Sequence, residues 1–237
     1  MNEAMTGGKG SNTLPQFTGN ITAKSRANFT HYHLIAASHA YQEALSIENK
    51  YNTETPPQKE LDLYISQVSA CIMCSVAALE SKINEHIVDN ETEINSSRNR
   101  PLFKIYELRE KAKKRDLTLS ESLLSATNAF KKFNIIWHIK YGGPYLEDEI
   151  SRNVKYLIEI RNALIHFTPE WNDAFTNHSN LDNVRNDLQF TESPFFPKDT
   201  FFIPHRCLSA SCAEWSVGTS KNFLTTISML CGCIRVY

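Results

Sequence analysis

The clearest pattern in the chain is an apolar stripe between residues 58 and 89. Its members recur at three- and four-residue steps: Leu61, Ile65, Val68, Ile72, Val76, Leu79, Ile83 and Ile87. This spacing places them on one face of an α-helix. Pro56-Pro57 lies just before the stripe, where proline suits a helix start and not a helix middle. We therefore predict two long antiparallel helices, from Thr22 to Asn49 and from Gln58 to Asp89.

The rest of the chain alternates shorter periodic segments with polar or proline-containing ones. In order, the pattern predicts a polar break at Asn90 to Arg100, helices at Phe103 to Lys114 and Ser120 to Ile139, a turn at Gly142-Gly143-Pro144, a helix at Glu147 to Phe167, an irregular stretch at Trp171 to Ile203 and a last helix at Leu208 to Leu230. The fold class is therefore all-α: a helical bundle with two long antiparallel helices, two or three shorter ones and a long irregular excursion before the last helix.

One helical domain accounts for residues 21–232, with a polar, disordered tail at 1–20 and a short tail at 233–237. The start, Met1-Asn2-Glu3, lacks the basic-then-apolar pattern of a signal peptide. The longest apolar run, Ala70 to Leu79, is too short to cross a membrane. We expect a cytoplasmic protein without a membrane partner.

Cysteine and histidine spacing gives little support for a metal site. Cys71-x-x-Cys74 sits inside the apolar stripe region, so a core role is favoured over a redox or metal pair. His205, Cys207 and Cys212 could bind zinc, but they lack a second pair at zinc-finger spacing. We therefore expect no metal and no cofactor.

The predicted helix from Glu147 to Phe167 is apolar around most of its circumference. A helix of this kind is buried, or is shared between a core and an interface. Its polar residues form a narrow line of Lys155, Glu159, Asn162 and His166, and Arg161 stands apart among apolar neighbours. A guanidinium in such a place needs a partner, and Glu80 of the second long helix is the acid we expect to pair with it.

The run from Leu157 to Phe167, which contains Arg161, Asn162 and His166 and is followed by Pro169-Glu170-Trp171, resembles the signature helix of HEPN-domain proteins. That motif is an arginine, a polar residue (often Asn), three or more further residues, and a histidine. The segments 75–85 and 212–217 resemble the long helix before the motif and the closing helix of bacterial HEPN-like proteins.

The resemblance implies a helical bundle, a homodimer and RNA cleavage without metal. Many relatives act as toxins or in defence against phage, so an antitoxin or defence partner is also implied, and some relatives bind nucleotides without cutting them. A branch that pairs with nucleotidyltransferase antitoxins carries a tyrosine two residues after the histidine. Here that position is Thr168, which argues against that branch.

RNA can be cut without metal when its own 2′-hydroxyl attacks the adjacent phosphate. Histidine suits the proton transfer, because its pKa lies near neutrality, so His166 is the candidate for it. A permanently charged, planar guanidinium suits the phosphoryl oxygens, which assigns Arg161 to them. Asn162 would orient the phosphate or the imidazole, and Glu80 and Glu159 are the candidate supporting residues.

A local basic segment offers a surface for RNA, although the formal net charge of the chain is only −1. From Arg98 to Lys140 there are eleven Lys and Arg against four acids, with the greatest density at Lys111, Lys113, Lys114 and Arg115. A solvated helix face is the alternative interpretation of this run. Tyr141 and Tyr145 could stack on bases or could belong to the core.

Three functions remain open from the sequence. The leading one is a metal-independent endoribonuclease, and the second is a HEPN-like module that holds RNA or a nucleotide without cutting it. The third is a structural or interaction protein in which Arg161 makes only an internal ion pair. Signatures of P-loop NTPases, zinc proteases and dinucleotide-binding folds are not present in the sequence.

Overall fold

The computed structural model of the protein describes residues 28–52, 54–96, 115, 117–125, 129–141, 145, 148–167, 181–187 and 189–230. Within these residues the regular structure is helical and contains no strand. The helices are α1 (Phe29–Tyr51), α2 (Gln58–Asp89), α3 (Glu91–Ser96), α4 (Leu119–Ser125), α5 (Ala129–Tyr141), α6 (Glu149–Ile165), α7 (Asp182–Asn186) and α8 (Ala210–Leu230), with a kinked turn at Phe202–Arg206 in which Ile203 is extended. The all-α prediction is confirmed for this part of the chain.

The two long helices form an antiparallel hairpin, as predicted. Near its open end, the Thr30 hydroxyl donates to Glu85 Oε1 at 3.1 Å, and near its closed end Lys50 Nζ donates to Glu60 Oε1 at 3.3 Å. The bounds of α2 agree with the prediction. α1 ends two residues later than predicted, where Asn52 takes a φ of 54° and donates its N–H to the Glu48 carbonyl oxygen at 2.7 Å. A positive φ is incompatible with continuing a right-handed helix, so α1 ends there.

α2 is the central helix of the bundle and packs against α1, α8 and α6. Its inward side chains include Tyr64, Ile72, Leu79 and Ile83, all with 0% exposure. Burying each such side chain contributes about 1.5–3 kcal/mol relative to leaving it in water. α2 and α8 approach closely across small residues: Cys71 Sγ donates to the Ala213 carbonyl oxygen at 3.4 Å, and the Ser220 hydroxyl donates to the Ser75 carbonyl oxygen at 3.1 Å.

Several short elements differ from the prediction. The polar break after Asp89 contains α3, because Ile94 supplies a buried anchor with 2% exposure and acidic residues occupy the first turn. The single helix predicted from Ser120 to Ile139 is described as two helices, α4 and α5. The stretch predicted to be irregular contains α7 and ends in the kinked turn at Phe202–Arg206. The last helix begins at Ala210 instead of Leu208. Ser209 caps that start, since its hydroxyl accepts from the Cys212 amide at 2.9 Å.

Other predictions fall on residues outside the described part of the chain. They are the tails at 1–20 and 233–237, residues 22–27, the helix at 103–114, the Gly142-Gly143-Pro144 turn and the segment 168–180. The predicted start of the first long helix at Thr22 is wrong: α1 begins at Phe29, because Asn28 before it is extended, with a φ of −104° and a ψ of 100°.

By length and hydropathy alone, α2 could cross a membrane, with a mean hydropathy of 1.5 over its most apolar window. The sequence prediction rested on the uninterrupted run from Ala70 to Leu79, and that criterion ignores the apolar residues that precede the run in the same helix. In the structure 39% of the most apolar window of α2 is buried. The cytoplasmic location stays a prediction.

Candidate functional site

α6 carries the arginine-asparagine-histidine motif and is fixed at its start by a capping box. The Asp148 carboxylate accepts from the Ser151 amide at 2.8 Å, and the Ser151 hydroxyl accepts from the Asp148 amide at 3.0 Å. Tyr145 adds a hydrogen bond from its hydroxyl to Asp148 Oδ2 at 2.8 Å. Burial acts to raise the pKa of Asp148, but these hydrogen bonds outweigh it and the pKa is lowered. The ionised carboxylate of Asp148 is the form that accepts these hydrogen bonds, so Asp148 is the N-cap. α6 therefore starts at Glu149, two residues later than predicted.

Arg161 pairs with Glu80, as expected for a guanidinium among apolar neighbours. Arg161 Nη2 donates to Glu80 Oε1, which links α6 to α2. The side chains are 19% and 39% exposed, so this ion pair lies at the edge of the core and is open to solvent. A guanidinium has five N–H donors in a fixed plane, and the contact with Glu80 Oε1 involves Nη2. The geometry of the group therefore allows a phosphate to be bound beside the carboxylate.

Asn162 and His166 occupy the last turn of α6. The His166 amide donates to the Asn162 carbonyl oxygen at 2.9 Å, which makes His166 the residue that ends the helix. The Asn162 side chain is half-buried and His166 is exposed. Asn162 and His166 are four positions apart, so both lie on one face of α6. His166 points about 140° away from Arg161 around the helix axis. An exposed imidazole at a helix end is accessible to a polymer substrate.

The two alternatives for the α6 helix, burial or sharing between a core and an interface, differ at its last turn, and the described core does not fully cover that turn. Val154, Leu157 and Ile160 are fully buried, whereas Ile165 and Phe167 are 49% and 40% exposed. The core covers the first turns of α6, and in the described part of the chain the last turn is covered only in part. Two large apolar side chains thus lie beside the motif histidine on an open surface.

Glu159, predicted as a supporting residue, does not share the direction of Arg161. The two positions are about 200° apart around the helix, and the described acid partner of Arg161 is Glu80. Burial raises the pKa of Glu159, and the positive charge of Lys155 acts against this shift. Lys155 itself lies with Nζ 5.2 Å from the ring centroid of Phe130. Of the two predicted supporting acids, only Glu80 is brought to the arginine.

Lys132, counted from the sequence within the basic surface segment, is buried. Its side chain is 6% exposed, and Nζ donates to Asn84 Oδ1 and to the Leu124 carbonyl oxygen, each at 2.9 Å. A signal for this burial was present, because Lys132 falls at helical spacing with the buried Ile136 and Ile139. Sequence reasoning therefore missed Lys132 and Asn84 as polar residues of the interior.

The remaining basic segment is described only in part. Arg115, Lys131 and Lys140 are exposed, which agrees with a charged surface. Lys111, Lys113 and Lys114 lie outside the described residues. The RNA-binding patch stays a prediction.

The candidate metal-binding or redox cysteines Cys71, Cys207 and Cys212 are buried. Burial and a hydrogen bond with the Cys207 thiol raise the pKa of Cys212, and burial raises the pKa of Cys71 to about 12. The described residues contain no group of three or more His, Cys, Asp and Glu placed to hold a metal ion. His205 instead packs its ring on Phe196, with centroids 4.9 Å apart.

The two candidate stacking tyrosines differ. Tyr145 packs edge-on against Phe133 and Trp137, with ring centroids 5.1 and 4.9 Å away, and so belongs to the aromatic core. Tyr141 contacts Trp137 at 4.3 Å but remains 48% exposed.

Comparison of the chain with protein-family models, curated proteins and solved structures finds no significant match.

Proposed function

We propose that this chain is a HEPN-type, metal-independent endoribonuclease that acts in a toxin or phage-defence system and uses Arg161, Asn162 and His166. The observation that carries the proposal is the arrangement along α6. An arginine held by Glu80 remains 19% exposed, and the same helix ends one turn later at an exposed histidine. A cation and a proton-transfer group are thus presented from one rigid element, which is the minimum that RNA cleavage through the 2′-hydroxyl requires.

In this mechanism His166 takes the proton of the 2′-hydroxyl as the oxygen attacks the adjacent phosphorus. The bond from phosphorus to the 5′-oxygen breaks, the leaving oxygen takes up a proton, and a 2′,3′-cyclic phosphate remains. Arg161 stabilises the negative charge that gathers on the phosphoryl oxygens, because its planar donors match two oxygens at once. Asn162 lies on the His166 face of the helix and orients the phosphate or the imidazole.

A second copy of the chain completes the proposed site. Ile165 and Phe167 are large, apolar and exposed beside His166, and burying them against a twofold partner would place two histidines and two arginines at one interface. A dimer also offers one histidine as the base and the other as the acid for the leaving oxygen. Exposed apolar side chains at the end of α6 support this arrangement.

A specific observation favours the structural alternative as a second candidate. The Arg161–Glu80 pair already gives the guanidinium a partner inside the chain, and an ion pair of this kind can serve only to join α6 to α2. The two functions predict different chemistry, since a structural pair does not need His166.

The test is cleavage of single-stranded RNA by purified protein in EDTA. The ribonuclease proposal predicts internal cuts whose products carry 2′,3′-cyclic phosphate ends. The same RNA with 2′-O-methyl groups should be bound but left intact, because its attacking hydroxyl is blocked. Cleavage that appears only after a divalent metal is added contradicts the mechanism, and binding without cleavage supports the nucleotide- or RNA-binding alternative.

A further inference from the structure

A second cation, Lys132, is buried against α2, the helix that carries Glu80. Lys132 of α5 directs its ammonium group into the space between α2, α4 and α5, where it donates to Asn84 Oδ1 and the Leu124 carbonyl oxygen at 2.9 Å each. Asn84 lies one helical turn after Glu80 on the same face of α2. We call Glu80, Asn84, Lys132 and Arg161 the Arg161 cluster.

The hydrogen bonds of Lys132 explain how it is tolerated, but they do not explain why a charge is there. Both acceptors, the Leu124 carbonyl oxygen of α4 and Asn84 Oδ1, are neutral groups. A neutral donor such as glutamine could satisfy such acceptors without burying a charged group. Burial lowers the pKa of Lys132, while the negative charge of Glu80 acts in the opposite direction, so the ammonium and the Glu80 carboxylate attract each other.

We infer that Lys132 is a positioning residue of the proposed site: its ammonium shares the charge of Glu80, and Arg161 can therefore bind an RNA phosphate. This inference rests on the proposed ribonuclease function. Arg161 and Lys132 contribute two positive charges and Glu80 one negative charge, so the cluster carries a net charge of +1. With only Arg161 and Glu80 the net charge would be zero, and the carboxylate would compete with an incoming phosphate for the guanidinium.

The net charge of the cluster gives an ordered prediction for RNA binding. Lys132→Met lowers it to zero, Glu80→Gln raises it to +2, and the double variant returns it to +1. Affinity should therefore follow the order Glu80→Gln, then wild type and double variant together, then Lys132→Met. The loss in Lys132→Met should be on the order of tenfold, which corresponds to about 1.4 kcal/mol of binding free energy.

The probe is a fluorescent oligouridylate with 2′-O-methyl riboses, so that binding is measured without cleavage. Lys59→Met is the matched control, because it removes the same charge from an exposed position of α2 outside the basic segment and the Arg161 cluster and should change affinity by about twofold or less. Lys132→Gln replaces Lys132→Met if the latter does not fold.

A melting experiment on the same variants separates this inference from the proposed function. If Lys132 and Glu80 attract each other, Lys132→Met lowers the melting temperature more in wild type than in the Glu80→Gln background. Equal losses in both backgrounds would overturn the inference, as would failure of Glu80→Gln to restore binding, or a loss in Lys59→Met as large as that in Lys132→Met. If wild type neither binds nor cuts RNA, the proposed function fails, and the melting comparison alone decides whether the two charges are coupled.

Discussion

Two carboxylates, Glu48 and Glu80, join α2 to its neighbours, and they differ in the groups that donate to them and in their access to solvent. Near the start of α2, Tyr64 is fully buried and donates its hydroxyl to Glu48 of α1, while the Ala210 amide at the start of α8 donates to the same Glu48 oxygen at 2.9 Å. Phe195 packs edge-on against the Tyr64 ring at 4.9 Å. This Glu48 junction ties three segments together through neutral donors and leaves little for a ligand to reach.

The Arg161 cluster is built from charged donors and stands at the edge of the core. Glu80 accepts from Arg161, Lys132 donates to Asn84 one turn further along α2, and the side chains of Glu80 and Arg161 are 39% and 19% exposed. A carboxylate that accepts hydrogen bonds from a buried hydroxyl and a helix amide has a structural role, because it links the segments that carry those donors. A carboxylate that holds a partly exposed arginine can release it to another anion, which is the property a phosphate site needs.

Removing the centre of the Glu48 junction should have the largest effect on folding. Tyr64→Ala empties a fully buried aromatic position and removes a partner of Glu48, so the free energy of unfolding should fall by about 3–5 kcal/mol. Tyr32→Ala is the matched control, since that side chain is 62% exposed and its loss should cost about 0.5 kcal/mol or less. Urea titrations measure both values. Similar values for the two variants would contradict the structural role of the junction.

Arg161→Ala should separate activity from stability. Cleavage should fall on the order of 10²–10³-fold, as when a donor to a developing oxyanion is lost. Stability should fall by on the order of 1 kcal/mol, because the orphaned Glu80 can still reach water. Arg161→Lys should not restore the rate fully, since a point charge cannot make the paired contact.

The control for Arg161 is an exposed arginine on the same helix. Arg152 pairs with Asp187 at 3.0 Å and is 49% exposed, so Arg152→Ala should leave both the rate and the melting temperature near wild type. If Arg161→Ala instead unfolds the protein, while a folded substitute keeps full cleavage, the structural alternative is correct.

Charge on the open end of α6 should disrupt the dimer. Ile165→Asp places a carboxylate on a 49% exposed apolar position beside His166, and we expect sedimentation to show a monomer and cleavage to be lost. Ile35→Asp changes a 53% exposed position on α1 and should leave the dimer intact. Dissociation by the α1 variant alone would move the interface away from the motif.

The α6 cap should give the smallest effect and a defined pH dependence. Asp148→Ala should destabilise the protein by about 1 kcal/mol at neutral pH. Since the folded-state pKa of Asp148 is lowered from its ordinary value of 3.8, this contribution is fully present above that value and disappears as the pH falls through the lower, folded-state pKa. Melting curves of variant and wild type should therefore converge only in strong acid. A constant difference would show that another group provides the cap.

Parts of this organisation could be read from the sequence because a local rule specifies them. The bounds of α2 follow from Pro57 and one long apolar stripe, and the Arg161–Glu80 pair follows from the high cost of an unpaired guanidinium in an apolar helix. The count of charges between Arg98 and Lys140 wrongly assigned Lys132 to the surface, because such a count ignores which face of a helix each residue lies on. Periodicity also did not reveal the open surface at Ile165 and Phe167, because it shows which residues share a face and not what covers that face.

The most direct test of the account is the rate of RNA cleavage in EDTA by His166→Ala, compared with His39→Ala, a change at another exposed histidine. His166→Ala should keep the wild-type melting temperature, because the side chain lies on the surface, and should lose on the order of 10²–10⁴-fold in rate. His39→Ala should match wild type in both measurements. Full cleavage by folded His166→Ala protein would contradict the ribonuclease account and leave the Arg161–Glu80 pair as a joint between two helices.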